Sequence, residues 1–177
     1  MTWCLVGSEM CIRDSPKLAA RVVWAGLTMN HGQTCMAPRR ILVHESIAAE
    51  FGAALVPLAA GSGLRRLIDQ AAADRHRSLV ADAVARGGRL ASLADDPRSD
   101  DVVRAHVVLD CPIDAEAFAA DHFGPLVVTA SWRDRDELLE LHRRGGKHLA
   151  TSVFTRDPSR VDDLVFELGG GLVTVND

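Results

Sequence analysis

Asn30-His31-Gly32-Gln33-Thr34-Cys35-Met36-Ala37-Pro38-Arg39-Arg40 lies between two strongly apolar, periodic segments of a 177-residue chain. On its amino side, Ser15-Pro16 followed by Leu18, Val22, Ala25 and Met29 supplies an N-cap, a proline at the first helical position and apolar residues at helical steps. This spacing predicts a helix ending near Gly32. Ala19, Val23 and Gly26 add a second apolar face, so the helix should be largely buried. On the carboxyl side, Ile41-Leu42-Val43 reads as a short buried strand leading to Ser46, which can cap a helix carrying Ile47, Phe51, Ala54, Leu55 and Leu58. Pro57 is expected to kink or end that helix. Cys35 is thus mounted on a turn between a buried helix and a buried strand, fixed in place yet reachable, as covalent catalysis requires of a thiol. The competing reading is a small, inert hydrophobe that happens to fall in a turn.

Further along, residues 68–86 carry Ile68, Ala72, Leu79, Ala83 and Val84 on one helical face and stop at Gly87-Gly88. The aspartate-rich stretch 95–101 lacks histidine and a fixed register, and reads as a solvated loop instead of a metal site. Residues 106–110 and 126–130 read as strands with a short helix at 115–120 between them. A helix at 134–144, a strand at 150–155, a helix at 159–168 and a strand at 172–175 follow. This alternation implies an α/β fold with a mainly parallel sheet and helices on its faces. Gly169-Gly170-Gly171 follows a helix and precedes a strand, the reverse of a phosphate-binding loop, and reads as a plain turn.

Composition narrows the function. With 47% hydrophobic residues the chain can bury the core of one domain but not two full ones. Twenty Lys plus Arg against 24 Asp plus Glu, with the basic pairs dispersed among acids, do not suggest nucleic-acid binding. Cysteines 4, 11, 35 and 111 lack paired short spacings, so neither a metal knuckle nor a disulfide framework is indicated, and a reducing, cytoplasmic setting is expected. No window approaches the length and hydropathy of a membrane span, so a soluble protein is expected.

Residues 30–40 resemble the active-site cysteine segment of the NAD(P)-dependent aldehyde dehydrogenase family, in the pattern Asn-x-Gly-Gln-x-Cys, a small residue, a spacer and Arg. Asp121-His122-Phe123-Gly124-Pro125-Leu126-Val127-Val128 resembles the family's acidic-x-Phe-Gly-Pro-Val segment. Residues 147–157 and Gly170-Gly171-Leu172-Val173-Thr174-Val175-Asn176 are similar to two further family stretches, in the family's order.

The resemblance implies an oxidoreductase that converts an aldehyde to a carboxylic acid with NAD or NADP. Cys35 would form a thiohemiacetal, then a thioester released by water. Thr34 and Met36 would line the aldehyde pocket, and the backbone N–H of Cys35 would serve the developing oxyanion. Asp121, where the family usually has Glu, would contact the ribose beside nicotinamide, and Phe123 would pack near the nicotinamide ring; a surface carboxylate and a core aromatic are the competing readings. Intact members would be homo-oligomers. The partner implied is a small-molecule aldehyde, with neither nucleic acid nor membrane.

In the family the general base, the oxyanion asparagine and the dinucleotide-binding domain lie upstream of the nucleophile. Glu167-Leu168-Gly169-Gly170 resembles the base segment in letters, but it follows Cys35 and ends a predicted helix. Residues 16–177 are therefore expected to form an incomplete aldehyde dehydrogenase catalytic domain that lacks the nucleotide-binding domain and the C-terminal end. Residues 1–15 match nothing expected before the active-site helix; Cys4 to Ser15 resembles translated adaptor-like sequence, the alternative being a short native leader. The chain as given is expected to be an inactive fragment. An alternative is a non-catalytic α/β module that keeps the fold for binding or assembly. A Cys-His thiol hydrolase using His31 or His122 is a third reading, although both histidines are expected in surface or packing roles.

Overall fold

The computed structural model describes residues 2–3, 16–91, 101–146, 149–155, 161–168 and 172–175. The segment carrying Cys35 joins α1 (Pro16–Thr28) and a short 3-10 turn (Met29–Gly32) to β2 (Arg40–His44), and α2 (Glu45–Ala60) follows. Then come β3 (Leu64–Arg66), α3 (Gln70–Ala85), β4 (Arg89–Leu90), β5 (Val102–Arg104), β6 (His106–Leu109), α4 (Glu116–Ala119) and β7 (Leu126–Trp132). The chain continues through α5 (Arg135–Arg144), β8 (Ala150–Val153), α6 (Val161–Leu168) and β9 (Leu172–Val175). Ahead of all these, β1 (Thr2–Trp3) pairs in parallel with β8 and approaches β2.

Four strands form a sheet in the order β2-β7-β6-β4, parallel except for the β4–β6 pair. Because successive side chains on a strand point to opposite faces, this sheet divides the apolar residues into two cores. Ile41, Val43, Val107, Leu109 and Val127 face α1 and α2, meeting Ala19, Val23, Leu27, Phe51 and Leu55. Leu42, Val108, Leu126, Val128 and Trp132 face the other way, against Leu79, Phe118 and Leu138 of α3, α4 and α5. A second, all-parallel sheet runs β1-β8-β9, with Ser152 Oγ and Thr174 Oγ1 2.7 Å apart across the β8–β9 pair. The expected α/β architecture is therefore present.

Local details differ from the expectations. On α1 the second apolar face is the buried one, through Ala19, Ala20, Val23 and Leu27, whereas Leu18 and Met29 are exposed. His44, not Ser46, caps α2: its Nδ1 accepts the Ser46 N–H at 3.3 Å. Helix α2 runs through Pro57 to Ala60, because the bond proline cannot make faces the exposed Ala53 side and Pro57 O still accepts the Gly61 N–H. On α3 the buried face is Ala73, His76, Leu79, Val80 and Ala83, leaving Val84 exposed, and Ile68 lies exposed ahead of the helix, which begins at Gln70. The antiparallel pairs β3–β5 and β4–β6 were not anticipated. Residues 95–100 and the three glycines 169–171 lie outside the described residues. Among the described residues, no helix is long and apolar enough to cross a membrane.

Candidate active site

The 3-10 turn that ends the first helical segment is left-handed over three residues: Asn30, His31 and Gly32 have φ of 47°, 58° and 72°. Asparagine tolerates this region and glycine has no Cβ to clash, but histidine adopts it at a cost, so the surroundings must hold the turn. They do so through several bonds. Gln33 N–H donates to Asn30 O, and Asn30 Nδ2 donates to Gln33 O. Gln33 Oε1 accepts the Ile68 N–H at 2.8 Å, and His31 Nδ1 lies 2.8 Å from Arg66 O. The chain then makes a tight turn in which Ala37 N–H donates to Thr34 O, with Cys35 and Met36 at its two central positions. Cys35 is exposed at the apex, Met36 is 40% exposed and Thr34 is half-buried.

Both ends of this turn are fixed to the segment carrying Asp121 and Phe123. At the amino end, Gly32 is pressed on Gly124-Pro125: a Cβ on Gly32 would lie 2.5 Å from the Gly124 carbonyl carbon and 2.6 Å from the Pro125 nitrogen. At the carboxyl end, the buried Arg39 donates from Nε to His122 O at 2.9 Å, and its guanidinium carbon sits 5.3 Å from the centre of the Phe123 ring. Next to it, buried Arg40 donates to Phe118 O at 2.8 Å. Two segments some ninety positions apart in the chain thus form one assembly, held by charge-assisted hydrogen bonds and a cation–π contact. Phe123 is 55% exposed, and Asp121 is exposed beside it. The two other motif segments pair with each other as β8 and β9; Lys147, His148, Gly170, Gly171 and Asn176 lie outside the described residues.

The buried roles of Arg39 and Arg40 were not foreseen. Their adjacency to the apolar run 41–43 was the available signal, because a strand buried on both faces carries its flanking residues inward. Also unforeseen is a buried histidine pair, in which His76 Nε2 lies 2.8 Å from His106 Nδ1; His122, expected in a surface or packing role, is 6% exposed. Burial first, and then Arg39, Arg40 and Arg75, push the His122 ring down to about 3, so it is neutral at ordinary pH. Among the described residues, no group of three or more His, Cys, Asp or Glu is placed to hold a metal ion.

Of the two cysteines described, the other, Cys111, is buried. Burial, with Asp82 and Asp114 adding repulsion, pushes its thiol up to about 12, which leaves it inert. A recess of about 360 Å³ lies between α2 and the carboxyl ends of β2, β6 and β7, lined by Phe51, Val56, Leu109, Thr129 and Ser131. Cys35 precedes the amino end of β2 and lies outside this recess.

A model of the aldehyde dehydrogenase family matches residues 13–177. The chain is 32% identical to the NADP/NAD-dependent aldehyde dehydrogenase PuuC of Escherichia coli, over 96% of this chain and 36% of that protein. It is 30% identical to a non-phosphorylating aspartate-semialdehyde dehydrogenase of Halomonas elongata, over 97% of this chain and 36% of the relative. In fold it superposes on an NADP-dependent glyceraldehyde-3-phosphate dehydrogenase of Bacillus halodurans with a TM-score of 0.87 at 23% identity, covering 99% of this chain and 37% of the other. A benzaldehyde dehydrogenase of Corynebacterium glutamicum gives 0.85 at 21% identity, covering 99% and 39%. The chain spans just over a third of the length of these relatives. With the family's cysteine segment and its Phe-Gly-Pro segment in direct contact, and the family match running from residue 13 to the last residue, the chain belongs to the aldehyde dehydrogenase family.

Proposed function

We propose that Cys35 is the nucleophile of an aldehyde oxidation to a carboxylic acid. The observation that carries this reading is an exposed thiol at the apex of a turn whose two ends are clamped, by Gly32 and Arg39, to residues 122–125. A thiol so held keeps its position without losing access, which lowers the entropic cost of attack. The Cys35 thiolate forms a bond to the aldehyde carbon, and the carbonyl electron pair moves onto oxygen. The Cys35 N–H, at the turn's centre, is the donor for that oxygen. Thr34 and Met36 flank the reacting carbon. Once hydride has left the adduct carbon, water adds to the acyl carbon, the C–S bond breaks, the acid departs and a proton from the water restores the thiol.

The residues present suit a nicotinamide cofactor: Asp121 offers an exposed carboxylate to ribose hydroxyls, and Phe123 an exposed aromatic face whose ring lies by the Arg39 cation. When bound there, NAD or NADP supplies the hydride acceptor that turns the Cys35 adduct into a thioester. Cys35 in the chain by itself takes the acyl group of an activated ester, whose alkoxide or phenolate leaves, without steady turnover of an aldehyde.

The test compares a longer protein containing this sequence with its Cys35→Ala variant. Aldehyde-dependent NAD(P)H formation should be present in the first and lost by several orders of magnitude in the second. Activity retained in the variant, or steady formation by the 177-residue chain alone, would contradict the reading.

A further inference from the structure

The oxidation chemistry makes no use of the histidine group beneath the nucleophile turn. His76 on α3 and His106 on β6 are 3% and 4% exposed, and their rings meet through Nε2 and Nδ1 at 2.8 Å with centroids 5.1 Å apart. One hydrogen serves that bond, so one ring must present a bare nitrogen, and two charged rings cannot keep it. On its other side His76 backs onto Gly124, where a Cβ would lie 3.1 Å from His76 Nδ1. Gly124 carries Gly32 in turn. Packing therefore runs from His106 through His76 and Gly124 to Gly32, three residues before Cys35.

We propose that the His76–His106 pair is a positioning unit for the Cys35 turn, an acid-sensitive buttress that seats Gly124 against Gly32 while the rings share their hydrogen bond and releases the turn when the pair is protonated. Its bearing on catalysis rests on the reading of Cys35 as nucleophile; the buttress itself is a matter of packing alone.

The surroundings favour such a response. From α3 itself come Arg75 and Arg77, already paired with Glu116 of α4 at 2.8 Å and with Asp74 at 2.9 Å. The strand β5 contributes Arg104, β6 contributes His106, the segment before β7 contributes His122 and the exposed Asp121, and the start of β2 contributes Arg39 and Arg40. An added proton thus meets mainly cationic neighbours. Burial, then His106, His122 and Arg77, hold the His76 ring well below the ordinary imidazole range, and the Arg104 backbone only partly offsets this.

Amide hydrogen exchange on the full chain, resolved by peptide and corrected for its intrinsic pH dependence, tests the proposal. As the pH falls from about 6.5 to about 5, protection of residues 29–38 should drop by up to about tenfold per pH unit, through an opening that leaves β6 and β7 better protected than the turn at every pH. His76→Gln retains a neutral donor toward His106 Nδ1 and should flatten that profile. A uniformly lower protection in the variant with the wild-type slope would show a merely structural role and overturn the proposal. Should the variant fail to fold, histidine-ring and amide NMR on the wild type decides. The two rings and residues 29–38 should shift in one pH step, and rings that titrate while the turn stays fixed would refute the buttress. Acylation of Cys35 by an activated ester is read in parallel. A flat exchange profile with intact acylation rejects the buttress and leaves the nucleophile standing; a sloping profile without acylation does the reverse.

Discussion

Replacing Gly32 by alanine perturbs the contact on which the site is built. The added methyl would sit 2.5 Å from the Gly124 carbonyl carbon, 2.6 Å from its oxygen and 2.6 Å from the Pro125 nitrogen, about 1 Å inside ordinary contact at 3.4–4 Å. All three atoms are backbone, so no side chain can rotate away. Gly32 also has φ +72°, which costs a residue with a Cβ about 1–2 kcal/mol. Overpacking adds about 1–3 kcal/mol. The sum is about 2–5 kcal/mol, which at a urea slope of about 2 kcal/mol per molar lowers the unfolding midpoint by about 1–2.5 M. Gly63, where an added methyl would meet nothing within 4 Å and φ is not left-handed, is the control, and Gly63→Ala should leave the midpoint within about 0.3 M. Urea unfolding followed by tryptophan fluorescence measures both. A Gly32→Ala midpoint indistinguishable from wild type would refute the close seating of the turn on residues 124–125.

Three further outcomes are expected. Arg39→Ala removes the hydrogen bond to His122 O and the contact with Phe123, and should cost about 2–4 kcal/mol in urea unfolding, with a loss below about 0.5 kcal/mol contradicting the clamp. His122 is held near 3 in the folded chain, whereas an unfolded imidazole titrates near 6.5; the unfolded state therefore binds the extra proton between these values. Stability should be unaffected above about pH 6.5 and fall below it by up to about 1.4 kcal/mol per pH unit, and His122→Leu should shallow that slope in acid-unfolding curves. Iodoacetamide at about pH 8 should label Cys35 in the folded chain and reach Cys111, whose thiol is pushed up to about 12, only after denaturant is added; peptide mass spectrometry distinguishes the two.

The parallel strands and long helices were legible because each carries its own periodicity. Residues 41–43 and 126–130 are apolar runs, and α3 has a glycine stop, so their types follow from local pattern. Strands β3, β4 and β5 were not legible, being two or three residues long and bearing Arg65, Arg66, Arg89 and Arg104. Such strands exist only because a partner strand is supplied by the rest of the fold. The same distinction holds at the site. Cys35 and Phe123 stand in recognisable segments, and the structure brings those segments together. What fixes them was hidden, because Arg39 finds its acceptor 83 positions away, Arg40 78 away, and His76 its partner 30 away. Read singly, these are surface-type residues; only tertiary contact offsets the cost of burying them.

The role of Cys35 as nucleophile is tested by the site and stoichiometry of acylation when the folded chain meets an activated ester such as p-nitrophenyl acetate. About one acyl group per chain is expected, found by peptide mass spectrometry on Cys35 and absent from the Cys35→Ala variant. Acylation spread over other residues, or a Cys35 that stays unmodified while the fold is intact, would contradict it.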